Sequence, residues 1–436
     1  MSKKDFIDIS KLDAKLLQSI LAFAKKVKSD DLAGVSQVSN LLENKQVALV
    51  FEKPSTRTRI SFEAAINKLG GKAIVIQSHD SQLNRGETIA DTAKVLSQYV
   101  DLIMFRCFHH DTLLEMAQNA TIPVINGLTD YSHPCQVLAD IMTFEETKGS
   151  IAGKKVAWIG DSNNMANTWI QAAEKLSFNL VMACPQELAP IAKLPDCVKV
   201  VTDPKEAAKD ADLVTTDTWT SMGDEEVDTK RALLADYQVD DSVMESAKPQ
   251  AIFMHCLPAH RGEEVSASVI DGPQSVVWEE AKNRLYVQLA IMLWCTDRME
   301  GGKVVSPKPF KGAKVLLVED NKADMDVAHK LLDSIGCEVV VAHDGQEAIG
   351  KAKNDSFDVI FMDCLMPIMN GFDAAHVIRE NEKGHKNHVP IIAVTNESSE
   401  SVIKRGAQVG MNDFIQKPIG PKRVTELLTK WYKKAS

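Results

Sequence analysis

The 436-residue chain is short of several features that would settle its class at once. No apolar run approaches the ~18 residues needed to cross a bilayer, and the opening MSKKDFIDIS has no apolar signal-peptide core, so a cytoplasmic protein without a membrane partner is expected. The eight cysteines are scattered, with neither a CxxC pair nor zinc-finger spacing, which argues against a disulfide framework or structural metal and for reduced thiols. Positive charge is in deficit: 50 Lys and Arg against 60 Asp and Glu leave a net charge of -10. Without a basic stripe carrying interleaved aromatics, nucleic acid is not an expected partner. No internal repeat or low-complexity tract is present.

What remains is ordinary soluble composition, 44% hydrophobic and 25% charged, over a length that calls for two or three domains. Strand-like runs at Val47 to Phe51, Val156 to Ile159, Leu213 to Thr215 and Ala251 to Met254 alternate with helical periodicity, which predicts an α/β fold with largely parallel sheets. Periodicity lapses in EGGKVVSPKPFKG, so residues 301–312 are expected to be a linker. Beyond it five short strands in KVLLVED, CEVVVAH, FDVIFMD, VPIIAVT and DFIQKP predict a small doubly wound domain over 313–436. A division near residues 141 to 152 splits the rest into lobes of 1–145 and 146–300 with a cleft between them.

The segment FEKPSTRTRISFEAAINKLGG runs from a strand into a helix, with Ser55, Thr56, Arg57 and Thr58 at the helix start. Free N–H groups and the positive helix end meet hydroxyls and a guanidinium there, a cradle for a phosphate-like dianion; a plain N-cap is the alternative. STRTR after a strand, Arg106 in FRCFHHD, HPCQVLAD from His133 to Asp140, and HCLPAHRGEEV from His255 together resemble, in order, the motifs of the aspartate/ornithine carbamoyltransferase family over residues 1 to 300. That resemblance implies carbamoyl transfer without a cofactor. Ser55, Thr56, Arg57 and Thr58 would hold the phosphate of carbamoyl phosphate, while Arg106, His133 and Thr58 donate to the carbonyl oxygen as charge develops. Gln136 would bind the carbamoyl nitrogen, with Cys256, Leu257 and Arg284 of EEAKNR as further ligands. The family's trimer places a neighbouring loop over each site, here SQLNRGE with Gln82, and Asn84 stands where many relatives carry Gly.

The second lobe should choose the amine. WIGDSNNMANTW lacks GxGxxG spacing, which excludes a dinucleotide fingerprint. By resemblance to the ornithine branch, Asn164 and the Met222 backbone would bind the substrate carboxylate, and Asp217 and Ser221 of DTWTSMG its α-amino group. Cys256 would meet the side-chain end beside Asp217; by itself it would pass for a small buried hydrophobe. Direct attack of the neutral δ-amine of L-ornithine would give citrulline and phosphate, with the proton going to the departing phosphate or to the Asp217/Cys256 pair.

In the last domain Glu319, Asp320 and Asp363 fall at strand ends, where three carboxylates suit Mg²⁺, and Thr395 and Lys417 reach the same edge. Residues 313 to 436 resemble a two-component receiver with the flavodoxin-like (βα)5 fold. The resemblance implies phosphorylation of Asp363 by a histidine kinase or phosphotransfer protein, with Lys417 neutralising charge and Thr395 moving to hold the acyl phosphate. Phe414 falls at the aromatic switch position, where a core phenylalanine is equally compatible. Asn370 replaces an aspartate usual in that turn, with little expected effect, and Lys417-Pro418 is a candidate cis peptide. The expected output of such a receiver is the enzyme that precedes it.

Overall fold

The structure is a computed structural model that describes residues 3–35, 38–77, 86–220, 227–305, 309–383, 388–396 and 399–432. Gln82, Ser221 and Met222 lie outside the described residues. The chain divides into two compact units, Met1–Val305 and Ser306–Ser436. Among the described residues no helix is long and apolar enough to cross a membrane.

The first unit contains two parallel sheets. In one, β1 (Gln46–Phe51), β2 (Lys72–Gln77), β3 (Leu102–Arg106) and β4 (Val124–Leu128) stand in the order β2-β1-β3-β4. In the other, β5 (Lys155–Ile159), β6 (Asn179–Ala183), β7 (Val198–Val201), β8 (Leu213–Thr216) and β9 (Ile252–His255) stand in the order β7-β6-β5-β8-β9. The central strands are continuous buried runs, as in β1 from Val47 to Phe51, because helices cover both faces and leave no side for water.

Local chemistry sets where the helices begin. Asn163 caps the helix Asn164–Leu176 by accepting from the N–H groups of Met165 and Ala166. Pro134 opens the helix Pro134–Lys148, where its missing N–H costs nothing. Thr56 precedes the helix Arg57–Lys68 without a side-chain cap bond, so the N-cap alternative for this motif is not realised. The helix Val277–Cys295 follows the second lobe in sequence, yet it packs on the helices Ala14–Leu32, Arg57–Lys68 and Pro134–Lys148 of the first. Its apolar residues go nearly all round, as burial on several sides demands, and its N-terminal half carries Glu280, Asn283 and Arg284 inward.

The expected linker is partly structured. β10 (Met299–Glu300) and β11 (Lys303–Val304) pair as a hairpin, which Gly301 and Gly302 permit because both take positive φ, as a two-residue turn of this kind requires. At the other end Phe310 is buried in the core of the second unit. That unit is one parallel sheet of β12 (Lys314–Val318), β13 (Glu338–Ala342), β14 (Val359–Asp363), β15 (Ile391–Thr395) and β16 (Asp413–Gln416), in the order β13-β12-β14-β15-β16.

Candidate active site

Each sheet reverses its strand order once, and a crevice opens at such a point beyond the carboxyl ends of the two flanking strands. In the first lobe the reversal falls between β1 and β3, whose ends carry Lys53 to Thr58 and Arg106. In the second it falls between β5 and β8, whose ends carry Asp161 to Asn164 and Asp217. Lys53 to Thr58, Arg106, Asp161, Asn163, Asn164 and Asp217 line one cleft of 880 Å³, together with His133, Gln136, Cys256, Leu257 and Arg284. Close packing shapes its wall: a Cβ on Gly127 would come within 2.3 Å of the Met104 sulfur, and the β3-β4 register slips beside it at Phe105/Arg106.

Three guanidiniums converge on the first-lobe side. Arg106 Nη1 donates to Thr58 Oγ1 at 3.1 Å and Arg284 Nη2 to the same oxygen at 2.8 Å. Arg106 is pushed down to about 10, first by burial and then by the charges of Arg284 and Arg57. Arg284 is lowered mainly by burial as well. Among the described residues, buried Arg106 Nε, Arg284 Nε and His133 Nδ1 have no hydrogen-bond partner. Unpaired buried donors beside repelling cations are costly, and an anionic ligand would relieve both costs. His133, held by its backbone N–H to Thr168 Oγ1 at 2.8 Å, has its imidazole far below the ordinary histidine range through burial and the charges of Arg284, Arg106 and Arg57. It is therefore neutral near pH 7 and can polarise a carbonyl as a hydrogen-bond donor.

Across the cleft, Asp217 accepts from Asn163 Nδ2 at 3.0 Å, from its neighbour Thr218 N–H at 2.8 Å and from Cys256 Sγ at 2.9 Å. Burial, then the adjacent Asp217, raises the Cys256 thiol well above its ordinary value, so the sulfur keeps its proton and donates. The HCLP turn is set by His255, whose Nδ1 accepts from Leu257 N–H at 2.9 Å, so the ring proton lies on Nε2 and faces Glu264 at 3.1 Å. Asn164 lines the cleft, and its Nδ2 donates to the Thr129 carbonyl across the lobes at 2.7 Å.

The sequence reading passed over several residues here. Asn163 fixes Asp217 as well as capping its helix, Lys230 pairs with Asp161 at 2.7 Å, and Asp140 and Glu280 flank Gln136. The spacing of Gln136 and Asp140, four apart on one helix face, was the available signal for the last group.

In the second unit the reversal lies between β12 and β14, and it brings Glu319, Asp320 and Asp363 together, one oxygen from each lying within 4.8 Å of the others. Lys417 Nζ is 2.7 Å from Glu319 and 2.6 Å from Asp363. Burial alone would lower this ammonium, but its bonds to the two carboxylates outweigh that and hold it above the ordinary lysine range. Glu319 is pushed up to about 6, chiefly by burial, with Asp363 adding to the rise and Lys417 opposing it. Gly371 is demanded beneath Asp363, where a Cβ would stand 2.0 Å from the Asp363 carbonyl oxygen. Asn370 caps the following helix by accepting from Asp373 N–H, so amide for carboxylate costs the turn no acceptor. Thr395 is buried at the end of β15, Phe414 is half-buried on β16, and Lys417-Pro418 is cis.

These arrangements have known counterparts. Residues 4–146 match the carbamoyl-P binding domain of aspartate/ornithine carbamoyltransferases, and residues 152–295 the Asp/Orn binding domain. The ornithine carbamoyltransferase of Bradyrhizobium diazoefficiens is 52% identical over 306 residues, which are 69% of this chain and 99% of that protein. The chain belongs to the aspartate/ornithine carbamoyltransferase family. The crystal structure of ornithine carbamoyltransferase from Burkholderia thailandensis is 47% identical with a TM-score of 0.62, covering 67% of this chain and 98% of that one. The ornithine carbamoyltransferase from Pyrococcus furiosus is 44% identical with a TM-score of 0.65, covering 69% of this chain and 99% of that one. Residues 315–429 match the response regulator receiver domain, so a receiver follows the transferase in this chain.

Proposed function

We propose that the chain is an ornithine carbamoyltransferase whose activity is set by phosphorylation of its receiver at Asp363. The observation that carries the first half is the pair Arg106 and Arg284 on Thr58 Oγ1, with Arg57 lining the same cleft and buried nitrogens unpaired among the described residues, facing the Asp217-Cys256 pair.

Carbamoyl phosphate binds with its dianion against Ser55, Thr56, Arg57 and Thr58 at the uncapped helix start. Arg106, His133 and Thr58 meet the carbonyl oxygen, whose charge grows as the δ-amine of ornithine attacks, and their fixed positions stabilise that charge without reorganisation. Asp217 attracts the ornithine ammonium, and Asn164, with Ser221 and Met222, holds the rest of the amino acid. The C–O bond to phosphate then breaks and the proton shed by the attacking nitrogen leaves on the departing phosphate, giving citrulline. As in the family the assembly is a trimer, with Gln82 contributed by the neighbour, in the cytoplasm.

In the receiver, Glu319, Asp320 and Asp363 suit a hard divalent cation such as Mg²⁺, which would screen the incoming phosphoryl oxygens. Asp363 takes the phosphoryl group from a histidine kinase or phosphotransfer protein, Lys417 shifts from its carboxylates to the new charge, and Thr395 and Phe414 follow it. Citrulline formation by wild type, Asp363→Ala and phosphorylated protein tests both halves. No citrulline from wild type overturns the transferase reading. Equal rates in all three overturn the regulation and leave the receiver a tethered phosphorelay or docking module.

A further inference from the structure

Behind Gln136 lie two carboxyl groups that carbamoyl transfer gives no task. Asp140 and Glu280 are each 1% exposed, one on the helix Pro134–Lys148 and the other on Val277–Cys295. Gln136 Nε2 donates to Asp140 Oδ1 at 2.8 Å and to Glu280 Oε1 at 3.0 Å, which uses both of its hydrogens. On its other side Gln136 Oε1 accepts from Arg284 Nη1. A flipped amide would press its oxygen against two carboxyl groups and its NH₂ against a guanidinium that can only donate, so one orientation is enforced.

Glu280 has a second attachment, since its Oε2 accepts from the His255 N–H at 3.0 Å, directly before Cys256. Burial raises both carboxyls; the charge of Asp140 adds to the rise at Glu280, the hydrogen bonds of Asp140 with Gln136 and Glu280 hold Asp140 back, and Arg284 opposes the rise in both.

We propose that Asp140 and Glu280 are positioning residues that lock the Gln136 carbonyl toward the cleft, so that the site selects an acyl phosphate bearing an N–H over one bearing a methyl group. The inference rests on the carbamoyl phosphate reading above and adds a cause for its selectivity. Gln136 Oε1 accepts from Arg284 with one lone pair and keeps the second for the substrate, and a buried lone pair that an analogue cannot fill counts against that analogue. Acetyl phosphate is such an analogue: same phosphate, same carbonyl, no N–H.

The test measures KM for carbamoyl phosphate, KM for ornithine and inhibition by acetyl phosphate in wild type, Asp140→Leu, Asp140→Asn, Gln136→Ala and the Asp140→Leu/Gln136→Ala double variant. Asp140→Leu removes an acceptor and frees the amide. It should raise KM for carbamoyl phosphate about 10-fold or more while leaving KM for ornithine and acetyl phosphate inhibition within about 2-fold, so the discrimination ratio falls. Asp140→Asn keeps an acceptor oxygen at nearly the same shape, and should stay within about 3-fold of wild type. In the Gln136→Ala background Asp140→Leu should change the ratio by less than about 2-fold, because its effect passes through Gln136. Should Asp140→Leu not fold, Asp140→Ala removes the same acceptor with less bulk and is read the same way. An unchanged ratio in the variant, or an equal fall without Gln136, overturns the positioning role. Failure of wild type to make citrulline would instead overturn the reading on which it rests.

Discussion

Thr58→Val removes a single hydroxyl from a buried site at nearly constant shape, and its consequence follows from counting lone pairs. Thr58 Oγ1 accepts from Arg106 at 3.1 Å and from Arg284 at 2.8 Å, and the residue is 1% exposed. A hydroxyl has two acceptor sites and one proton, so with both sites taken by guanidiniums the proton is directed away from them, into the cleft. There it meets the oxygen on which charge develops. Loss of one such preorganised donor costs about 10²- to 10³-fold in kcat, and the two guanidiniums also lose their common acceptor, at ~1–3 kcal/mol for the buried donors left unpaired. Thr58→Ser keeps the hydroxyl and should remain within about 5-fold of wild type, a loss of ~1 kcal/mol. Steady-state citrulline formation with thermal melts on both variants makes the measurement. A folded Thr58→Val enzyme whose kcat falls less than about 3-fold would refute the assignment of the proton to the reacting oxygen.

Asp217→Asn removes the charge and, because Asn163 and Thr218 donate to different oxygens, keeps only one of those two contacts, so KM for ornithine should rise about 30-fold or more, with carbamoyl phosphate binding little changed by calorimetry. Incubation with carbamoyl phosphate and Mg²⁺ should add a phosphoryl group to the wild-type chain but not to Asp363→Ala, read by intact mass; a wild type without the adduct removes carbamoyl phosphate as a donor. Because Glu319 is pushed up to about 6, it is protonated below that pH, and its proton competes with a cation. Mg²⁺ affinity of the receiver should therefore weaken as pH falls through about 6, and titration calorimetry giving a flat affinity down to pH 5 would contradict this.

The sequence is most legible where a motif and a strand end coincide. STRTR, HPCQ, HCLP and the receiver acids each sit within a few residues of a short apolar run, and the sheets bring those ends together by a topological rule that local sequence already implies. Pairings between distant residues are not legible in this way. The union of Gln136 with Glu280, 144 residues apart, exists because the helix Val277–Cys295 returns to the first lobe, which no local pattern announces. The hairpin of β10 and β11 was hidden for a different reason: two glycines read equally well as a loose linker and as a tight positive-φ turn, and only pairing between Met299 and Val304 decides. Asn163 illustrates a third kind of concealment, since a capping asparagine also holds Asp217, and its neighbour Asn164 carried the family signal.

The two units meet a phosphate dianion with opposite charges, and that contrast separates their chemistry experimentally. In the transferase cleft three guanidiniums supply the positive charge from the chain itself, and Arg106 and Arg284 are lowered chiefly by burial, with neighbouring guanidiniums adding to it. In the receiver three carboxylates stand with one lysine, an arrangement that would repel a phosphoryl donor unless a divalent cation screened it. Chelation of divalent cations should therefore abolish phosphorylation of Asp363 by carbamoyl phosphate while leaving citrulline formation by the same sample intact. Should both stop together, the guanidinium cluster would not be sufficient for the transferase; should neither stop, the acidic cluster would not need its cation. Either result would break the link drawn here between the charge each unit carries and the way it handles phosphate.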